Sequence, residues 1–308
     1  MKTQKLFTIS AITALITSAS ASVTIDWVTV GNAGNAADTA DGDSNTVGVQ
    51  RYGAVAYEYK IGKYEVTNTQ YGAFLNAAAE TDNYGLYNSN MSSYGITRNG
   101  SSGSYTYSVS GALANRPVVW VSWFDAARFA NWIMNGQGSG STETGAYTLN
   151  GATSGIVLAN AGAQVYIPTE DEWYKAAYYN AASQTYSLYP NGQNSFTSAD
   201  ANYLTSGYWV GSSMNVGTYS GDPSMYSTFD QGGNVWEWND AVIGSSRELR
   251  GGSWYYNIDG GPDSSSRAFY GPSDEDRHIG FRLASVPEPS SVLLSIAAGG
   301  IILIRRKR

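Results

Sequence analysis

Asp230-Gln231-Gly232-Gly233-Asn234-Val235-Trp236-Glu237-Trp238 carries two carboxylates seven positions apart, with two adjacent glycines between them. Glycine lets the backbone turn so that carbonyls point inward. A hard cation such as calcium needs this combination: six to eight oxygens at about 2.3–2.6 Å, part of them carbonyls. The other reading of the stretch is a turn in which Glu237 accepts backbone hydrogen bonds. Further segments of the same texture flank it. Downstream are Arg250-Gly251-Gly252-Ser253-Trp254 and Gly280-Phe281-Arg282-Leu283. Upstream are Tyr64-Glu65-Val66-Thr67-Asn68-Thr69-Gln70-Tyr71, Arg116-Pro117-Val118-Val119-Trp120-Val121-Ser122-Trp123 and Ile167-Pro168-Thr169-Glu170-Asp171-Glu172-Trp173.

Three of these segments contain helix starts. Thr67 with Gln70, Ser122 with Asp125 and Thr169 with Glu172 are capping-box pairs, in which a side-chain oxygen accepts from an orphan N–H of the first turn. Apolar residues follow at helical spacing: Tyr71, Phe74, Leu75 and Ala78; Ala126, Phe129, Ala130 and Ile133; Trp173, Ala176, Ala177 and Tyr178. Each start is preceded by an extended-type segment, at 57–66, 117–121 and 164–167. Residues 31–50, 80–115 and 136–160 lack periodicity and read as loops, and nothing from Tyr186 onward is helical before the tail. The fold class expected is α+β, with short elements and a high loop content.

In order and spacing, the six motif segments resemble the formylglycine-generating-enzyme (sulfatase-modifying factor) family over about 230 residues. The resemblance implies a C-type-lectin-like architecture. It implies a calcium site at Asp230, the Gly233 and Val235 carbonyls and Glu237. A second calcium site would use Asn202 and the Tyr203 carbonyl, although 204–215 offers no downstream acidic ligand. It also implies a substrate groove bordered by Trp254, Tyr255 and Tyr256 and approached by Arg267, for which an ion pair with an acid such as Asp274 is the alternative. Trp254 is expected in the core, with one tyrosine exposed.

The family's copper is held by two cysteines shortly after the Gly-Gly-Ser motif. Those positions fall here on Tyr256 and Gly261, and the chain has no cysteine at all. Cu(I) requires soft thiolate ligands, so no copper oxidase site is expected. An iron facial triad requires two histidines, and His278, read as a surface or turn residue, is the only one. The expectation is a binding or structural protein; the competing expectation is an enzyme that modifies exported sulfatases without cysteines.

Met1-Lys2-Thr3-Gln4-Lys5, the apolar run Leu6–Ile16 and Ala19-Ser20-Ala21 form a signal-peptide pattern cleaved after Ala21. Val286-Pro287-Glu288-Pro289, the mainly apolar Ser290–Ile304 and Arg305-Arg306-Lys307-Arg308 resemble a PEP-CTERM sorting tail. This tail implies a membrane-seeking helix, an exosortase-type processing enzyme and placement at the envelope or extracellular matrix of a Gram-negative-type bacterium. The basic end should stay cytoplasmic. Residues 22–285 then form one domain, with 12 basic and 24 acidic residues and a charge near −12. That charge argues against nucleic acid or anionic lipid as partner and suits divalent cations or neutral glycans. With no disulfides, core burial must hold an exported fold together. The 24 Tyr and 9 Trp serve that core, or a surface that stacks on a polysaccharide or peptide ligand.

Overall fold

A computed structural model describes residues 22–39, 51–204, 211–221, 223–255 and 261–286. The expected signal peptide, the tail from Pro287 and Tyr256 lie outside these residues. All three capping boxes form. They open α1 (Asn68–Ala78), α2 (Trp123–Met134) and α3 (Glu170–Tyr178). In each, the cap hydroxyl accepts from the third helical N–H, while the third side chain accepts from the cap N–H.

Among the described residues, twelve short strands accompany them. One sheet has the order β1 (Trp27–Val30), β2 (Tyr59–Gly62), β12 (Ala284–Ser285), β5 (Val165–Tyr166). A second has the order β10 (Arg267–Tyr270), β9 (Ser246–Arg250), β8 (Trp236–Ile243), β11 (Ile279–Phe281). Two hairpins complete the set, β3 (Ile96–Asn99) with β4 (Thr106–Val109), and β6 (Tyr179–Asn180) with β7 (Thr185–Tyr186). The β3–β4 hairpin and a 3₁₀ turn at Ser89–Ser93 correct the reading of 80–115 as loop. Residues 117–121, expected as a strand, contribute only a bridge between Pro117 and Thr67.

Rings from three elements fill the main core. Tyr71 and Phe74 of α1 meet Phe129 and Trp132 of α2 and Phe281 of β11, with centroids 5.3–6.5 Å apart. The periodicity of α2 predicts a single buried face, yet its polar residues are buried as well. Arg128 grips Glu143 at 2.7 and 3.2 Å and donates to the Ala152 carbonyl. Asn131 donates to the Thr142 and Tyr147 carbonyls and accepts from the Tyr147 N–H. Arg128 and Asn131 thus hold the irregular 136–160 segment over the helix, while the Arg128 Nη1 and the Trp123 indole N–H find no acceptor.

Candidate functional site

The Asp230–Glu237 loop lies against Asn202 and the residues around Glu65. Gly233 (φ 87°) has to be glycine, because a Cβ there would sit 2.5 Å from the Asn202 carbonyl oxygen. The two expected metal sites therefore form a single buried polar cluster. Asn234 links them, donating to Glu65 at 3.0 Å and accepting from Met214 N–H at 2.9 Å and from Asn202 at 3.4 Å.

Glu237 does not face Asp230 as a free ligand. Its oxygens accept from Arg282 at 2.5 and 2.6 Å and from the Trp173 indole at 2.8 Å. Arg282 and Glu237 are fully buried, and Arg282 also donates to the Gly62 and Phe229 carbonyls. A guanidinium stands where the expected calcium would neutralise Glu237, so the set Asp230, Gly233, Val235 and Glu237 does not fit the ion in this arrangement. Among the described residues, no three His, Cys, Asp or Glu side chains form a group able to hold a metal. At the second expected site the Asn202 Oδ1 is buried without a donor, and Tyr203 packs on Phe196.

Asp230 and Glu65 are neighbouring buried carboxyls, and the Glu65 Oε2 is left without a hydrogen-bond partner. Burial, then the neighbouring Asp230 and Glu237 carboxylates, pushes Glu65 well above the carboxylate range. Burial also raises Asp230 to about 6. Sequence reasoning missed Glu65, Asn234 and Arg282. The available signals were an acid in an apolar strand, Tyr64-Glu65-Val66, and a lone cation between Phe281 and Leu283.

The expected groove separates into two places. Arg267 pairs with Glu248 and, at 2.8 Å, with Glu170. With Arg250 it completes a closed box of two arginines and two glutamates beside Tyr52. Asp274, the acid proposed for it, instead accepts from the Gly271 N–H. Arg267 thus belongs to a structural charge cluster and does not border the aromatic residues.

Trp254 and Tyr255 stand elsewhere. Trp254 is buried against Val119 and Val235, with Tyr94, Trp120 and Tyr255 packed around. The Tyr255 ring stacks on the His278 imidazole, with centroids 5.8 Å apart, and the Arg277 guanidinium sits 4.2 Å from the Tyr255 ring centroid. His278 sits in a turn, as one of its two readings had it, but is 2 % exposed, which corrects the surface reading, and its Nδ1 lies 3.1 Å from Asp276. Burial holds it below its ordinary pKa, so it is neutral at pH 7. Trp120 adopts φ 62°, a left-handed conformation that is an outlier for so bulky a residue, and its N–H is tied to the Asp276 carbonyl at 2.9 Å. The indole N–H groups of Trp120 and Trp254 are buried without an acceptor. The partly exposed rings of Trp120 and Tyr255 and the Arg277 guanidinium make this wall suited to a ligand that offers a flat face and oxygens.

A model of the sulfatase-modifying factor enzyme 1-like domain matches residues 18–286. The chain belongs to that family. Among solved structures it is similar to CarF (24 % identity, TM-score 0.59, covering 86 % of this chain and 99 % of that one). It is also similar to Treponema denticola variable protein 1 (21 %, 0.59, 88 % and 98 %) and to PvdO from Pseudomonas aeruginosa (16 %, 0.50, 85 % and 92 %). At these identities the likeness shows the fold, which is the lectin-like α+β frame expected. No curated protein matches the chain.

Proposed function

We propose that this family member is an exported surface protein whose domain binds a ligand in the envelope or in extracellular polysaccharide, without copper-dependent oxidation. The observation that carries this reading is the wall in which half-buried Trp120, Tyr255 and Arg277 surround the buried Trp254 and His278, with the Arg277 guanidinium 4.2 Å from the Tyr255 ring. The absence of cysteine from the whole chain supports it, since no thiolate is available for Cu(I). The ligand is a polysaccharide or a peptide. The tail pattern supports recognition by an exosortase-type enzyme, and the apolar Ser290–Ile304 is the part that would enter a membrane. Among the described residues, no helix is long and apolar enough to cross one.

Titration calorimetry of residues 22–286 against polysaccharide and peptide fractions of the producing cell's envelope tests the reading. Binding that weakens at least tenfold in Trp254→Ala and Arg277→Ala is expected, because aromatic and arginine anchors dominate such interfaces. No binding to any fraction, or binding untouched by both substitutions, would sink it.

A further inference from the structure

We infer that Tyr57 is a site of oxidative cross-linking, at which two copies of this chain couple through their phenol rings after one-electron oxidation.

The chain has no cysteine, so it cannot join a second copy through a disulfide. A phenol offers another route. Loss of one electron and of the hydroxyl proton leaves a phenoxyl radical, and two such radicals join carbon to carbon. The ring must reach the surface for this, and a base must stand at its hydroxyl to receive the proton.

Tyr57 meets both conditions. Among the described residues it is the most exposed tyrosine, at 43 %. Its hydroxyl donates to Glu172 Oε1 at 3.0 Å, inside the reach of about 2.6–3.2 Å that proton transfer requires. Tyr166 donates to the same oxygen at 2.6 Å, and Tyr174 donates to Asp38 at 2.8 Å, but both of these rings are buried and cannot meet a ring of another chain.

The base is held in place from several sides. Glu172 is fully buried in the first turn of α3, and its Oε2 accepts from the Thr169 N–H and hydroxyl at 2.9 and 3.0 Å. Tyr59 donates to the Glu172 carbonyl at 2.5 Å and packs edge-on against the Tyr57 ring, with centroids 6.3 Å apart. Capping the helix occupies Oε2 alone, which leaves Oε1 to the two phenols. The carboxyl accepts all four bonds, as an anion does. Burial pushes its pKa above the ordinary carboxylate range, against the pull of those donors, so it takes up a proton more readily than a carboxylate in water.

The step balances with a haem peroxidase and hydrogen peroxide as the oxidant. Tyr57 gives one electron to the peroxidase while its hydroxyl proton passes to Glu172. Radicals on two chains then form one bond between ring carbons adjacent to the C–O carbons. The hydrogens on those two carbons move to the oxygens and restore both phenols. Two electrons, with the two protons that leave the Glu172 carboxyls, reduce one hydrogen peroxide to two waters.

The purified full chain, treated with a haem peroxidase and hydrogen peroxide, tests the site on denaturing gels and by peptide mass spectrometry. A covalent dimer joined from Tyr57 to Tyr57, two hydrogens lighter than two chains, is expected, and Tyr57→Phe should lower its yield at least fivefold. No dimer from the parent, an undiminished yield in Tyr57→Phe, or coupling mapped to other tyrosines overturns the site. Glu172→Gln keeps the cap but cannot take the proton. In flash photo-oxidation of single chains, radical formation should vary little with pH in the parent, and should be slower and rise with pH in Glu172→Gln, where water must take the proton. Matching pH profiles overturn the role of the carboxylate. If Glu172→Gln does not fold, as near-ultraviolet circular dichroism would show, Tyr57→Phe decides the proposal.

Discussion

At the scale of single residues, the deciding pair is Glu237 and Arg282. Both are completely buried, and their two hydrogen bonds of 2.5 and 2.6 Å supply within the protein the positive charge that calcium was expected to bring. Removing one partner of a buried pair strands the other charge, at a cost of about 3–5 kcal/mol. Arg282→Met should therefore lower unfolding free energy by that amount in guanidinium titrations. Glu237→Gln/Arg282→Met together should recover a large part of it. Melting temperature should be unchanged by calcium or by a chelator; a calcium-dependent rise abolished in Glu237→Gln would restore the metal reading. Asp230 gives a pH signature. Its folded pKa of about 6 exceeds the ordinary 3.8, so its contribution is fully present below about pH 4 and is lost as pH rises through 6. The loss amounts to about 3 kcal/mol by pH 7.5. Asp230→Asn should gain that much stability relative to the parent at pH 7.5 compared with pH 4, and parallel pH curves for the two proteins would count against a raised Asp230.

At the scale of elements, the helix starts were the most legible feature. Thr67, Ser122 and Thr169 announce their caps by a local rule that tertiary structure did not override. Thr169→Ala should cost about 1 kcal/mol, read as an earlier denaturation midpoint. Strands were less legible, because most are two to five residues long and depend on partners far away in sequence: Ala284 and Ser285 sit between Ile61 and Tyr166. The polar side of α2 was misleading for a physical reason. Arg128 and Asn131 look solvent-facing by periodicity but hold the 136–160 segment through its carbonyls. Asn131→Ala should destabilise by about 1–3 kcal/mol, since Tyr147 would lose buried partners on both its N–H and its carbonyl. Hydrogen exchange accelerated selectively across 141–152 would localise the effect; uniform acceleration would contradict the anchoring role.

At the scale of the whole molecule, the family frame was legible because six motifs kept their order, while the site was legible only in part. Trp254 and Tyr255 were read correctly as neighbours, with Trp254 inside. For Arg267 the ion-pair alternative held, but with Glu170 and Glu248 in place of Asp274, because spacing along the chain cannot show where β10 carries it. Trp120, Arg277 and His278 join the wall through folding alone, by the tie between Trp120 and Asp276. What results is a frame of the sulfatase-modifying type with an aromatic wall, an arginine at its edge and no thiol in the chain. The most direct test is mass spectrometry of a sulfatase-motif peptide after incubation with the purified domain, copper and oxygen. The peptide cysteine should remain unmodified over many hours, and conversion of that cysteine to formylglycine would contradict the account.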